Sequence, residues 1–162
     1  MDTAVLLVIV HVLLFAYWLG ADWGVYVTAR YVADQKLPVD ERLRFLQAAF
    51  RIDLLPRLSF TLLLPVGLHL AALYGAWPAT PLHLLVVWAA SLAWTGLNFA
   101  GYLQSGRPLG DRIRAWDQAI RMVLAPLLIA IGLWSAFAGG PVGALFIALK
   151  LALFGLMVVV GL

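Results

Sequence analysis

Five long apolar stretches, with nearly every charge set between them, restrict this chain more than any other feature. A stretch of about 20 apolar residues matches the hydrocarbon thickness of a bilayer. Backbone in that medium must satisfy its own hydrogen bonds, which a helix does within one segment. The pattern predicts helices at about Ala4–Tyr31, Leu54–Tyr74, Leu82–Leu103, Arg121–Phe137 and Val142–Leu162. With 64% hydrophobic and 12% charged residues, these spans leave no room for a separate soluble domain. The expected fold class is an all-α polytopic transmembrane helix bundle of about five spans, a single integral membrane domain over residues 1–162.

The connections set the expected orientation, because cytoplasmic loops hold the Lys and Arg residues. Arg30, Lys36, Arg42, Arg44 and Arg51 lie between the first two spans, and Arg107, Arg112, Arg114 and Arg121 between the third and fourth. The connections around Gly75–Pro81 and Ala138–Gly143 are uncharged. The N-terminus is therefore expected outside and the C-terminus inside. The net charge of +3 mostly expresses this asymmetry, and no nucleic-acid partner is called for. The first span lacks a basic leading region and exceeds a secretory signal's apolar core, so it is expected to be retained. Absence of cysteine excludes disulfides, thiolate redox chemistry and Cys-ligated metals. The last span closes at Leu162 without a polar tail, as in a chain truncated at that point.

A register of 70 residues relates two parts of the chain. Glu41-Arg42-Leu43-Arg44 is echoed by Asp111-Arg112-Ile113-Arg114, and Ala49, Arg51, Leu54, Pro56 and Leu58 by Ala119, Arg121, Leu124, Pro126 and Leu128. The second and third helices are thus expected to be echoed by the fourth and fifth, as a parallel repeat. Each copy opens on an amphipathic arm, Val39–Phe50 and Leu109–Ile120, expected at the cytoplasmic interface.

Function is sought in the few polar groups inside the spans: His11, Asp22, His69, Asn98 and Lys150. An ionisable group in hydrocarbon persists when paired, metal-bound or facing a polar cavity. On the first helix His11, Phe15, Trp18, Asp22 and Tyr26 share one face. Ala16, Gly20, Gly24 and Thr28 form a small-residue stripe suited to close helix packing, within the chain or in an oligomer. At 1.5 Å per residue, His11, His69 and Lys150 all fall roughly 8–12 Å from the outer surface. Two imidazoles at equal depth suit axial ligation of a b-type haem, with Phe15, Trp18, Trp88, Trp94, Phe146 and Phe154 as possible walls. His11 and His69 are the expected metal ligands, and Phe15 and Trp18 the expected cofactor contacts. Lys150 is the expected catalytic group, pairing with a propionate or handling a proton, unless it snorkels to the interface. His83 reads as an interfacial histidine. Asp22 reads as one half of an ion pair with Arg30, Arg51 or Arg57. Ser91, Trp94, Thr95 and Asn98 read as an interhelical hydrogen-bonding stripe.

One order of motifs runs along essentially the whole chain. His11 is followed by Trp18-Leu19-Gly20 and Arg30, then by Arg57-Leu58, by His83 opening the third helix, and by Arg114-Ala115-Trp116-Asp117-Gln118 before the fourth. In this the chain resembles the HemJ-type protoporphyrinogen oxidases and the related CopD-like membrane proteins. The resemblance implies an inner-membrane bundle whose first-helix histidine, here His11, ligates haem b. It also implies oxidation of protoporphyrinogen with electrons passing to a membrane acceptor. Two positions depart from the family pattern: His83-Leu84 stands where the family has a histidine-lysine pair, and Asp117-Gln118 where it has Asn-Glu. Two other classes stay open, a CopD-like copper or small-solute permease and a non-catalytic helical subunit of a larger membrane complex. Copper is poorly served by Met1, Met122 and Met157 alone.

Overall fold

The computed structural model describes residues 2–161. Its elements are all helices: α1 (Thr3–Ala33), α2 (Val39–Leu73), α3 (Pro81–Leu103), α4 (Pro108–Phe137) and α5 (Leu145–Val160). α1 to α4 are each long and apolar enough to cross a membrane. α5 is apolar but has 16 residues, about 24 Å, against a hydrocarbon core of about 30 Å. It starts three residues later than expected because Gly140-Pro141-Val142-Gly143 is held as a loop. There the Val142 N–H donates to Ser135 Oγ at 3.3 Å and the Gly143 N–H to the Ala76 carbonyl at 3.2 Å.

The amphipathic arms are not separate elements. Each runs without a break into the span that follows, so α2 has 35 residues and α4 has 30. No glycine or proline interrupts Val39–Arg51 or Asp111–Arg121, and Leu, Arg, Ala and Gln carry helical hydrogen bonding onward. The order of a long helix, a seven-residue connection and a second helix occurs twice, with Pro56 and Pro126 inside the long members. The echoed positions differ in environment. Ala49 is buried and Ala119 exposed, while Arg51 is exposed and Arg121 buried.

By packing, the chain divides into residues 1–66 and 67–162. In the first unit α1 runs antiparallel to α2. Trp18 meets Phe60 with ring centroids 5.2 Å apart, and Tyr31 stacks on Phe45 at 4.8 Å. Arg42 Nε donates to the Val32 carbonyl at 2.7 Å, placing a cation where α1 leaves its last carbonyls unpaired. No residue of α1 is fully buried. Its half-buried residues include Ala4, Leu7, His11, Leu14, Trp18, Ala21, Val25, Thr28 and Val32, alternately three and four apart, the spacing of one packed helix seam.

In the second unit α4 packs antiparallel to both α3 and α5. Its closest approach to α5 is built on two glycines. A β-carbon at Gly132 would stand 2.6 Å from the Ala152 nitrogen and 2.7 Å from the Ala148 oxygen. One at Gly155 would stand 2.7 Å from Ile129 Cγ1 and 2.9 Å from the Ala125 oxygen. Ala125, Leu128, Ala148, Ala152 and Val158 are buried in the same seam. In lipid, where apolar surface gains little by leaving its surroundings, such close backbone approach supplies the dispersion contact that joins helices.

Candidate functional site

A cluster of polar groups from two helices lies between α3 and α4. On α3, Ser91, Trp94 and Asn98 are buried on one face, at spacings of three and four residues. Thr95 Oγ1 donates back to the Ser91 carbonyl at 2.8 Å. Opposite them, Asp117 and Arg121 stand one turn apart on α4 and form an ion pair, Arg121 Nε to Asp117 Oδ2 at 2.8 Å. The other carboxylate oxygen accepts from Trp94 Nε1 at 2.6 Å and from Asn98 Nδ2 at 3.1 Å. The guanidinium carbon lies 5.4 Å from the Trp94 ring centroid. A β-carbon at Gly161 would be 3.2 Å from Arg121 Nη1, and 3.6 and 3.7 Å from the Val158 and Met157 carbonyl oxygens. The cation therefore also sits at the carboxyl end of α5, where the helix dipole favours it.

This cluster is a structural tie. Arg121 and Asp117 side chains are only 8% and 13% exposed, so each charge depends on the other and on the hydrogen bonds around it. Both oxygens of Asp117 already hold donors, which leaves the carboxylate poorly placed to act as a base. The expected interhelical role of Trp94 and Asn98 is what the geometry gives. Arg121, expected at the interface as a topological cation, is instead buried. Asp117 was missed as a site residue because the amphipathic pattern of Leu109–Ile120 placed it on a solvated arm. The signal was present in an Asp and an Arg four apart, facing a polar stripe at the same level of α3.

The histidines have separate surroundings. His11 is half-buried on the α1 seam, two turns before Trp18. Phe15 is exposed and meets Trp18 edge-on at 5.8 Å. His69, near the end of α2, is half-buried and accepts a hydrogen bond at Nδ1 from Trp88 Nε1 at 3.3 Å. An indole nitrogen only donates, so His69 Nδ1 carries the lone pair and the neutral ring carries its proton on Nε2. In that state His69 presents no lone pair at Nε2 to a haem iron. His83 caps α3: its Nδ1 accepts from the Thr80 backbone N–H at 3.1 Å, while Thr80 Oγ1 accepts from the His83 N–H at 3.3 Å. Its ring stacks on Trp77.

Lys150 is exposed on α5, with its ammonium 5.5 Å from the Phe146 ring centroid. Asp22 is exposed on α1 and lies in the electrostatic field of Asp53 and Arg57, which pair with each other on α2. In the small-residue stripe of α1, Gly24 meets Ile52 at ordinary contact distance, whereas a β-carbon at Gly20 meets nothing within 4 Å. Among the described residues no group of three or more His, Cys, Asp or Glu side chains is placed to hold a metal ion.

A haem can thus be tested against the two expected ligands. His11, on an apolar and aromatic seam, is a residue that fits axial ligation, and His69 in its bond to Trp88 is not. No protein-family model, curated protein or solved structure matches the chain.

Proposed function

We propose that this chain is a small integral membrane protein that holds a b-type haem through His11 and passes electrons within the membrane. The observation that supports this reading is the position of His11 on the half-buried seam of α1, on the same face as Trp18, which meets Phe60 two turns further along. Bound there, haem would supply one-electron chemistry at its iron. The chain's own part is to orient one imidazole, to exclude water with Trp18, Phe60 and the leucines of the seam, and to keep the site in hydrocarbon. The motif order from His11 to Asp117-Gln118 supports the same reading by its resemblance to the HemJ-type and CopD-like proteins. Residence in a bacterial inner membrane with the N-terminus outside, and electron exchange with a membrane acceptor, belong to this proposal. Haem retention by the purified protein, lost in His11→Ala and kept in His83→Ala, tests it.

A second reading is favoured by a different observation. Asp22 and Lys150 are both exposed within apolar helices, and a charge facing hydrocarbon is stabilised by a partner. In this reading the chain is a non-catalytic helical subunit of an oligomer or larger membrane complex. Its mass in a mild detergent decides: a monomer contradicts this reading.

A further inference from the structure

We propose that Arg44, Gln47 and Arg51 on α2 form a binding site for the headgroup of an anionic membrane lipid. The three residues stand three and four apart on one helix face, and all are exposed. That face lies half a turn from Phe45, Ile52 and Phe60, which carry the contacts of α2 with α1. Beyond Arg51 the same face is apolar, with Leu55 and Leu58 following at four and seven residues and Leu55 exposed. α2 is long and apolar enough to cross a membrane. Its face therefore changes from cationic to apolar where lipid headgroups give way to acyl chains. A phosphate held at Arg51 would lay its lipid's chains along Leu55 and Leu58.

The 70-residue register supplies a comparison within the chain. Glu41, Arg44, Gln47 and Arg51 correspond to Asp111, Arg114, Asp117 and Arg121. In α4 both arginines have carboxylate partners, Arg114 with Asp111 at 2.6 Å and Arg121 with Asp117 at 2.8 Å. In α2 an amide, Gln47, stands where α4 has Asp117. Among the described residues the one other ion pair joins Arg57 to Asp53, so Arg44 meets neither Asp40 nor Glu41, and Arg51 meets no carboxylate. Two cations about 10 Å apart along one helix face, with no carboxylate between them, favour an anion from outside the chain. Each guanidinium offers a fork of N–H donors that matches a phosphate, and the Gln47 amide adds donors between them. Phosphatidylglycerol fits this face better than phosphatidylcholine, whose choline brings a cation of its own beside Arg44 and Arg51. The site is independent of the haem reading and shares no residue with it.

The test uses the full chain in vesicles of phosphatidylcholine and phosphatidylglycerol. The chain has no cysteine, so Leu55→Cys accepts a single fluorescent label beside the site. Bromine on the acyl chains of one lipid or the other, at equal mole fraction, quenches the label and reports that lipid's relative occupancy. Phosphatidylglycerol should be preferred by roughly fivefold or more, the weight of one arginine near an anionic lipid surface. An Arg44→Gln, Arg51→Gln double variant should lose the preference. Gln47→Asp keeps both arginines and gives Arg51 the kind of partner that Arg121 has, so it should lower the preference severalfold even where the double variant inserts poorly. Gln118→Glu, the same charge change on the exposed face of α4, should leave the preference at Leu55 intact. Equal quenching by the two brominated lipids would overturn the lipid site and hand these arginines to an acidic protein partner. A preference that survives both Gln47→Asp and the double variant would overturn it as well.

Discussion

At the residue scale Asp117 is the residue on which the α3–α4 contact turns. Its carboxylate is the common acceptor for Trp94, Asn98 and Arg121, so it joins α3 to α4 while compensating a buried guanidinium. Removing one partner of a buried pair leaves the other charge uncompensated, at a cost of about 3–5 kcal/mol. Asp117→Ala should therefore lower the unfolding midpoint in a detergent titration far more than Asp111→Ala. The Asp111–Arg114 pair is exposed at both ends and contributes at most about 1 kcal/mol. Equal effects of the two substitutions would show that the buried cluster is not a tie. The sequence made Asn98 and Trp94 legible as hydrogen-bonding residues, because a polar side chain within an apolar helix has few other uses. It did not make Asp117 legible, because four residues of an amphipathic arm look the same whether they end at an interface or continue into a packed helix.

At the element scale, the sequence shows where helices lie better than which of their faces meet. The apolar runs mark α1 and α3 to within about two residues, and the uncharged connections fall where they were expected. The chain's own tight seam lies elsewhere than the small-residue stripe of α1. Ala16, Gly20 and Gly24 on α1 have the more regular spacing, yet Gly20 faces open space. The tight seam is formed by Gly132 and Gly155, whose significance depends on neighbours on the facing helix, far away in the chain. Gly155→Leu and Gly132→Leu should each destabilise the α4–α5 pair by 1–3 kcal/mol or more, since the side chain would collide with backbone that cannot yield. Gly20→Leu should change stability by less than about 0.5 kcal/mol. Thermal unfolding of the three variants checks this, and a Gly20 variant as unstable as the Gly155 variant would contradict the assignment of the seam.

At the scale of the whole molecule, the described residues form an all-helical chain with four helices able to span a membrane and a shorter apolar fifth. Absence of cysteine makes the proposed orientation directly testable. A single cysteine in place of Lys36 should react with a membrane-impermeant maleimide only after the cytoplasmic side is opened, and one in place of Ala138 should react from outside. The reverse pattern would invert the topology. Chemistry at this scale was only partly legible. Histidines and a lysine at similar depth suggest a common site, but depth does not reveal what each nitrogen already bonds. His69 is committed to Trp88, His83 to the cap of α3, and Lys150 stands over Phe146. His11, on the seam of α1, carries the redox proposal.

The most direct test is the reduced-minus-oxidised visible spectrum of the full chain purified after haem-replete expression, with haem quantified, for wild type and His11→Ala in parallel. A sharp b-type band near one haem per chain in wild type, absent from the variant, is the result expected of a His11-ligated haem protein. A colourless wild-type protein, or equal haem in both, would contradict it.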